Sequence, residues 1–434
     1  MQEVVIIGAG MAGYGASLRL RKEELNYSLF EKNNYIGGHC TSFHFDGGWT
    51  FDDGPHISFS SNEKVRELFY NNSGKDVFET MSKVNNYWQG HWVKHPAQVN
   101  LHGIPPDLNT RILLEMINLS KIEKPEISNY KEWLYASFGE TFAENFPMKY
   151  TRKYHTTDAA NMSTDWVGPR LYLPKLEEVI LGMLSPSTED VHYISNHRYP
   201  KYGGFVKFMD GFQNDQNLRL NHSLTSIDLK TKEIIFNDRI TKSYNYLISS
   251  VPLNNLINLI KDPPKEIIDA AKLLACTQCV LVNIGINKDI VSEQHWTYIY
   301  DEDINIVRLS YPSNFSKYNA PDGFCSIQAE IYFSDKYKPL KKTHDYYIDI
   351  VIEELKKCKI IEGNDKIAHK SSWFVPYAQI IFDHDRSSSV NLIRQFLKEH
   401  NIYPCGRYGD WSYAWSDESL ISGELAAEKI IRQL

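Results

Sequence analysis

Long apolar runs, positive charge and cysteine are all scarce in this 434-residue sequence. No apolar run approaches the ~20 residues that a membrane-spanning helix needs, and the start shows no basic region followed by an apolar stretch and a cleavage site. The 47 Lys and Arg residues are outnumbered by 54 Asp and Glu residues, so the net charge is −7. The sequence shows no basic stripe of the kind that binds a nucleic-acid backbone. We therefore expect a cytoplasmic protein with no membrane span and no nucleic-acid partner.

The few cysteines are spread along the chain and exclude a disulfide framework. They are Cys40, Cys276, Cys279, Cys325, Cys358 and Cys405. Without a secretory signal, free thiols are expected. Cys276 and Cys279 form a single CxxC pair with no second pair, which favours a buried or incidental pair over a zinc or redox site. No metal is expected.

Apolar residues make up 42% of the chain, which is enough for a large core. Val4–Ile7 is a β-branched run typical of a strand buried on both faces. A glycine-rich turn follows, then helix-forming residues from Gly15 to Arg21 and a second strand at Tyr27–Phe30. This order predicts an α/β fold that begins with a Rossmann-like unit.

Further along, helical patterns dominate from about 61 to 182 and strand patterns return afterwards. Lys230–Lys232 is expected to turn a hairpin between two strands. A last helix is expected from about Glu418 to Arg432. The chain therefore reads as mixed α/β with an interrupted first domain.

The first turn has the spacing of a dinucleotide site. Gly8 allows the tight turn, Gly10 lets a pyrophosphate approach the backbone, and Gly13 permits close packing of the helix. The helix N-terminus at this turn can face the phosphate anion. The expected cofactor-binding residues of the turn are Gly8, Gly10, Met11, Ala12 and Gly13. Glu31, at the end of the second strand, can accept hydrogen bonds from ribose hydroxyls. An acidic residue at this position disfavours a cofactor with a 2′-phosphate.

Two more glycine motifs favour FAD over NAD. Gly37-Gly38 extends the phosphate-binding surface beyond the first turn. Near the other end of the chain, Gly406-Arg407 precedes a helix whose N-terminus can face a flavin oxygen or the ribityl chain. That helix carries the candidate cofactor residues Asp417, Glu418 and Ser419. Because glycine turns at opposite ends of the chain could both contact one long cofactor, FAD is expected.

With these residues the chain resembles the FAD-containing superfamily of amine oxidases, protoporphyrinogen oxidases and UDP-galactopyranose mutases, and most of all the mutases. The resemblance extends over nearly the full length in spaced blocks. These blocks are DGPHISF from Asp53, GHWVKHPAQVNL from Gly90, YTRK from Tyr150, WVGPR from Trp166, YPKYGG from Tyr199, VRLS from Val307 and GRYGDWSY from Gly406.

The resemblance implies roles for individual residues. Arg170 and Arg308 would hold a substrate diphosphate, which suits planar, always-charged donors. The implied substrate-binding residues are Gln98, Tyr298, Tyr377 and Tyr413. The implied flavin-side residues are Gly54, Pro55, His56 and Leu224, with His56 next to the flavin chemistry.

Two features depart from the mutase pattern. Phe315 stands where mutases usually carry another tyrosine near the diphosphate, so one hydrogen bond is missing. Pro55 resembles the bacterial loop, whereas the block from Gly406 resembles the eukaryotic one. The chain is thus a distant relative with mixed features.

The activity implied by the resemblance is a pyranose/furanose interconversion of a nucleotide-diphosphate sugar without net oxidation. Reduced flavin would attack the anomeric carbon while the arginine pair holds the leaving diphosphate, and an external reductant such as NADPH would supply the reduced form. One alternative is an FAD-dependent oxidoreductase of the amine oxidase or protoporphyrinogen oxidase type with an apolar pocket. Another is a non-catalytic flavin protein.

The expected domains follow from these assignments. An FAD-binding domain is assembled from 1–75, 200–255 and 395–434. A helical substrate domain covers 76–199, and a β-sheet substrate domain covers 256–394.

Overall fold

The computed structural model describes residues 3–123, 125–168, 171–186, 188, 191 and 194–434. Its strands there are β1 (Val4–Ile7), β2 (Tyr27–Phe30), β3 (Ser42–Phe45), β4 (Trp49–Asp52), β5 (Val77–Met81), β6 (Val84–Trp88), β7 (His91–Lys94), β8 (Asn196–Pro200), β9 (Leu218–Arg219), β10 (Leu224–Asp228), β11 (Glu233–Phe236), β12 (Ile240–Ser243), β13 (Tyr246–Ser249), β14 (Gln278–Ile286), β15 (Trp296–Ile299), β16 (Arg308–Ser310), β17 (Cys325–Phe333), β18 (Ile367–Val375) and β19 (Ile402–Pro404). The α-helices of the same residues are α1 (Met11–Lys22), α2 (Glu63–Asn72), α3 (Pro106–Leu119), α4 (Tyr130–Phe138), α5 (Glu140–Asn145), α6 (Pro147–Tyr154), α7 (Leu176–Leu184), α8 (Asp210–Gln213), α9 (Leu253–Asn258), α10 (Lys265–Leu273), α11 (Pro312–Phe315), α12 (Tyr347–Lys357), α13 (Arg386–Glu399), α14 (Gly406–Gly409) and α15 (Ser416–Ile431).

A five-stranded parallel sheet forms one half of the molecule. Its strand order is β19-β13-β1-β2-β9. The central strand β1 is buried along its whole length, as its β-branched sequence predicts for a strand covered on both faces. Because its strands come from distant parts of the chain, the sheet is assembled from discontinuous segments. The predicted α/β fold with a Rossmann-like sheet is confirmed.

A seven-stranded mixed sheet forms the other half. Its order is β18-β14-β17-β16-β15-β6-β7, with β15 and β6 parallel and the other neighbours antiparallel. All nine residues of β17 are buried. Helix α12 packs Val351 and Leu355 into the same apolar cluster as β14 and β17. Helix α12 covers one face of the seven-stranded sheet, and side chains on the other face point towards the parallel sheet.

Several local predictions are confirmed and one region is corrected. The hairpin at Lys230–Lys232 joins β10 and β11 as an antiparallel pair. The region from 61 to 182, expected to be mainly helical, also contains β5, β6 and β7. These strands are only four or five residues long, which is too short for periodicity to distinguish them from the helical segments that follow. Because β6 and β7 join the seven-stranded sheet, the helical description of 76–199 is incomplete, and the domain boundaries stay a prediction.

Across the described ranges, no helix has both the length and the apolar character that crossing a membrane requires.

Candidate functional site

A cavity of about 730 Å³ lies between the carboxyl ends of the parallel strands and the seven-stranded sheet. Gly8 and Glu31, which follow β1 and β2, line it on one side. Tyr298, Arg308 and Glu330, on β15, β16 and β17, line it on the other. Open α/β sheets bind ligands at the carboxyl ends of their strands. The cavity is therefore placed where a dinucleotide and a second ligand can meet.

The glycine turn after β1 is shaped by close backbone contacts. Gly8 has φ of +101°, and a Cβ there would lie 2.1 Å from Ser250 Oγ. A Cβ at Gly13 would lie 1.9 Å from the carbonyl oxygen of Gly8, so Gly13 serves packing and does not line the cavity. At Gly10 the nearest atom to a Cβ would be the Gly37 carbonyl oxygen, at 3.7 Å. The second glycine thus leaves open space for a ligand, as the spacing predicts.

Glu31 ties this turn to the end of β2. Its side chain is buried, and its two oxygens accept hydrogen bonds from the backbone N–H groups of Ala9 and Asn33, both at 2.8 Å. The carboxylate also lines the cavity. Each carboxylate oxygen has a second lone pair, so Glu31 can still accept a ribose hydroxyl.

A histidine loop closes the cavity near this turn. His56 Nδ1 donates to the carbonyl oxygen of Gly54 at 2.8 Å, so the ring is held in one tautomer. Burial lowers the pKa of His56 to about 4, which keeps the ring neutral. Asp53, two residues before Pro55, accepts from Trp373 Nε1 at 2.7 Å and contacts His39 Nδ1 at 2.7 Å. The loop is therefore fixed to β18 and to the turn after β2.

The chain returns to the cavity at α14. A Cβ at Gly406 would lie 2.7 Å from Ala12 Cβ, so this turn meets the first helix closely. Arg407 donates to the Ala414 carbonyl oxygen and to Gln379, and its guanidinium carbon lies 4.8 Å from the ring centroid of Tyr413. Arg407 Nε is buried and has no acceptor within the described residues. Buried donors are normally satisfied, so this atom favours a ligand oxygen in the cavity.

Among the predicted cofactor residues, most line the cavity. They are Gly8, Gly10, Met11, Ala12, Glu31, Gly37, Gly38, Gly54, Pro55, His56, Leu224, Gly406, Arg407 and Ser419. Asp417 and Glu418 do not line it. Glu418 instead accepts from the Trp415 backbone N–H at 2.8 Å and so caps the start of α15.

The opposite arm of the cavity is built around a buried ion pair. Arg308 donates from Nε and Nη2 to the two oxygens of Glu330, at 2.6 and 2.9 Å. The Tyr332 hydroxyl donates to the same carboxylate. Glu330 therefore fixes the guanidinium plane, and Arg308 Nη1 makes no hydrogen bond to the described part of the chain, so its two N–H groups can bind a ligand.

Phenol rings surround this ion pair. Tyr298 is the cross-strand partner of Arg308, and its ring lies edge-on to Tyr150 at 5.4 Å between centroids. Tyr150 and Tyr154 are four residues apart on α6, so both rings reach the cavity from one helix face. Burial raises the pKa values of all three hydroxyls, which therefore stay protonated donors at neutral pH.

Two other predicted phenols also reach the cavity. Tyr377 donates to Asn254 Oδ1 at 3.2 Å, and Tyr413 lies beneath the Arg407 guanidinium. By contrast, Gln98 is buried outside the cavity, where its Nε2 donates to the Tyr172 carbonyl oxygen at 2.9 Å. Arg170 lies outside the described residues.

The prediction from residues missed Glu330, Tyr332 and Tyr154 as cavity residues. The four-residue spacing of Tyr150 and Tyr154 on a helix was a signal for the latter. Glu330 and Tyr332 alternate on one face of β17, but their sequence gives no sign that this face meets Arg308. The CxxC cysteines are reduced thiols, and burial raises both pKa values, which opposes thiolate chemistry.

Comparisons with known proteins agree with this geometry. Residues 6–71 match the model of the NAD(P)-binding Rossmann-like domain. A 57-residue segment is 46% identical to a 1-hydroxycarotenoid 3,4-desaturase of Flavobacterium sp., which covers 13% of this chain and 12% of that protein. A phytoene desaturase of Neurospora crassa is 36% identical over 56 residues, 13% of this chain and 9% of the relative. These curated relatives therefore match over about an eighth of their length or less.

Solved structures match over the full chain. A crystal structure of reduced UDP-galactopyranose mutase superimposes with a TM-score of 0.93 at 25% identity, covering 100% of this chain and 96% of that one. A putrescine oxidase bound to putrescine superimposes with a TM-score of 0.65 at 14% identity, covering 99% of both chains, which shows a shared fold.

Proposed function

Because the chain belongs to the FAD- and NAD(P)-binding Rossmann superfamily of amine oxidases, protoporphyrinogen oxidases and UDP-galactopyranose mutases, we propose that it is an FAD-dependent mutase. Its substrate would be a nucleoside-diphosphate sugar, and its reaction a pyranose/furanose ring interconversion. The full-length superposition and the N-terminal match support a flavoenzyme of this superfamily.

The residues present fit FAD. Gly10 leaves the space that a pyrophosphate needs, and the N-terminus of α1 offers backbone N–H groups there with no side-chain cap. Glu31 would hold the adenosine ribose. The buried Arg407 Nε, which has no acceptor among the residues that the structure describes, would donate to the flavin end, near Gly406 and Ser419. When bound and reduced, FAD supplies a nucleophile for the anomeric carbon of the sugar.

One observation carries the assignment of substrate. The Arg308–Glu330 pair lies across the cavity from the glycine turns and is surrounded by phenols, and no described residue accepts a hydrogen bond from Arg308 Nη1. This arm presents a fixed cation and neutral hydroxyl donors, which suit the diphosphate of a leaving nucleotide. Arg170, from the matching WVGPR block, would be the second cation.

The protein's own residues then bind and orient. Arg308 would neutralise charge that grows on the diphosphate as it leaves, and Tyr298 and Tyr150 would donate hydrogen bonds to it. The aromatic side chains that line the cavity would limit the access of water to the reacting sugar. Ring interconversion balances without net oxidation, so a reductant such as NADPH is needed only to keep FAD reduced.

The test uses FAD-loaded, dithionite-reduced protein under nitrogen with a panel of UDP, GDP and dTDP sugars. NMR of the products should show a furanose formed from one of the pyranose substrates. Arg308→Lys keeps a charge beside Glu330 but loses the planar fork, and should lower turnover ~100-fold or more with FAD content unchanged. Arg432→Ala, at an exposed side chain, is the matched control and should turn over normally. Unchanged turnover in Arg308→Lys contradicts the assignment.

A second candidate is a flavin-dependent oxidoreductase. The desaturase relatives and the putrescine oxidase fold favour it, and the Trp373–Tyr377 segment gives the cavity an apolar wall. Under air, this function predicts peroxide release in proportion to substrate consumed. Furanose formation with only catalytic reductant excludes it.

A further inference from the structure

A buried lysine is bound to the loop that joins the two strands carrying Tyr298 and Arg308. Lys153, on α6, is only 6% exposed. Its Nζ donates to the carbonyl oxygens of Ile299 at 2.8 Å, Asp301 at 2.8 Å and Ile306 at 2.7 Å. Three acceptors at these distances require three N–H groups, which only the ammonium form provides. The lysine therefore ties both ends of the loop, residues 300–307, to α6.

A carboxylate holds the same loop from the other side. Glu354, on α12, is 8% exposed and accepts from the backbone N–H and side-chain amide of Asn305, at 2.7 and 2.6 Å. Its second oxygen accepts from the Ile306 backbone N–H at 3.1 Å. The Lys153 ammonium thus binds carbonyl oxygens of the loop, and the Glu354 carboxylate binds its amide groups. We name this pair, Lys153 and Glu354, the loop clamp.

The clamped loop sets the geometry of the cavity arm. Tyr298 lies one residue before Ile299, and Arg308 lies two residues after Ile306; the two are paired across β15 and β16. The helix that carries Lys153 also carries Tyr150 and Tyr154. A single ammonium therefore links three sets of cavity side chains, one from each of α6, β15 and β16.

The three hydrogen bonds offset the free-energy cost of burying the Lys153 ammonium, so this residue can occupy the point where α6 meets both ends of the loop. We propose that the loop clamp is a positioning device that holds Arg308 and Tyr298 in the geometry that receives the diphosphate. This rests on the proposed function, since it presumes that Arg308 binds that group. Neither clamp residue lines the cavity, so each acts through the loop.

The test is a double-mutant cycle with FAD-loaded protein and UDP as the probe. Affinity is measured by calorimetry at pH 6.5. Burial lowers the pKa of Lys153 to about 7, so this pH keeps most of the side chain in the ammonium form. Lys153→Met should weaken UDP binding ~10-fold or more in the wild-type background. In the Arg308→Lys background the same substitution should cost less than ~3-fold, because the group that it positions is already altered. Equal losses in both backgrounds, or no loss, overturn the proposal.

The matched control is Lys357→Met. Lys357 binds Asp303 of the same loop at 2.6 Å, but on the exposed surface. It should leave UDP affinity within ~2-fold in both backgrounds. An effect as large as that of Lys153→Met would show that any loosening of the loop suffices and would overturn the role of the clamp.

Should Lys153→Met fail to load FAD, the cycle is repeated with Glu354→Gln, which weakens the other side of the clamp while keeping its size. Background-independent losses with this variant overturn the proposal equally. The proposed function fails separately: wild-type protein that binds none of UDP, GDP and dTDP, or Arg308→Lys that binds the preferred nucleotide normally, refutes the diphosphate site and the clamp with it. Weakened binding in Arg308→Lys with no effect of either clamp variant refutes the clamp alone.

Discussion

Gly10 and Gly13 belong to one motif but face different physical demands. Gly13 lies against the carbonyl oxygen of Gly8, whereas Gly10 opens onto the cavity and has φ of −86°, which any residue adopts. A side chain at position 13 therefore collides with backbone, and one at position 10 competes only with a ligand. Substitution of Gly13 is therefore expected to affect stability, whereas substitution of Gly10 is expected to affect cofactor binding.

We predict that Gly10→Ala leaves the stability of the cofactor-free protein unchanged but weakens FAD binding ~10-fold or more. Its methyl group would occupy the space through which a pyrophosphate approaches the backbone. Gly13→Ala should lower the free energy of unfolding of the cofactor-free protein by about 1–3 kcal/mol. Thermal unfolding without FAD and fluorescence titration with FAD measure the two effects. Normal FAD affinity in Gly10→Ala would place the pyrophosphate elsewhere.

At the scale of elements, the first and last helices are in unusually close contact. A Cβ at Gly423 of α15 would lie 1.8 Å from the carbonyl oxygen of Ala12, and one at Gly15 of α1 would lie 1.9 Å from the carbonyl oxygen of Leu420. The helices thus meet backbone to backbone at two points. This contact holds the glycine turns at both ends of the chain beside one cavity.

Gly423→Ala should therefore separate α1 from α15 and lower the free energy of unfolding by about 1–3 kcal/mol. FAD affinity should fall as well, because Gly406 and Gly8 are positioned by these helices. Gly363→Ala is the control, since a Cβ there would meet no atom within 4 Å. Urea denaturation and FAD titration report the two quantities. A fully stable Gly423→Ala protein would show that the helices can move apart without cost.

For the whole molecule, buried histidines govern the response to acid. Burial lowers the pKa of His56 and His295 to about 4, and of His155 and His197 to about 3. His56 and His155 line the cavity, whereas His197 and His295 are packed outside it. Asp52 works in the opposite direction, because burial raises its pKa to about 6. Burial also lowers the pKa of His369 and raises the pKa values of Asp301 and Glu424, so five histidines oppose three carboxyl groups and set the sign.

Since the ordinary histidine pKa is about 6.5, the unfolded chain binds more protons than the folded one below that pH. Stability should be fully present above pH 6.5 and fall as the pH drops towards 4, by up to about 1.4 kcal/mol per pH unit for each group. Urea denaturation between pH 7.5 and 5 measures the slope. His197→Asn should make it shallower, and His102→Asn, at an exposed position, should not change it. A stability that rises on acidification would contradict the assignment.

The sequence alone was sufficient to predict the parallel sheet and the glycine turns at its edge. The spacing of Gly8, Gly10 and Gly13 between a β-branched strand and a helix constrains the backbone within a few residues, and Glu31 follows at the next strand end. Such local patterns carry their own geometry, because each needs only its neighbours in the chain. The turns predicted there, and the discontinuous parallel sheet, are present in the structure.

Which side chains of the seven-stranded half meet at the cavity was not predictable from the sequence and follows from the tertiary structure. Glu330 meets Arg308, and Lys153 meets the loop at Ile306, across separations that no local pattern encodes. Gln98, chosen from its block, instead bonds to Tyr172. The physical reason is that these contacts depend on how β15, β16, β17 and α6 are brought together. Burial and hydrogen-bond partners are properties of that packing, so a residue's chemistry in the cavity follows from the fold as a whole.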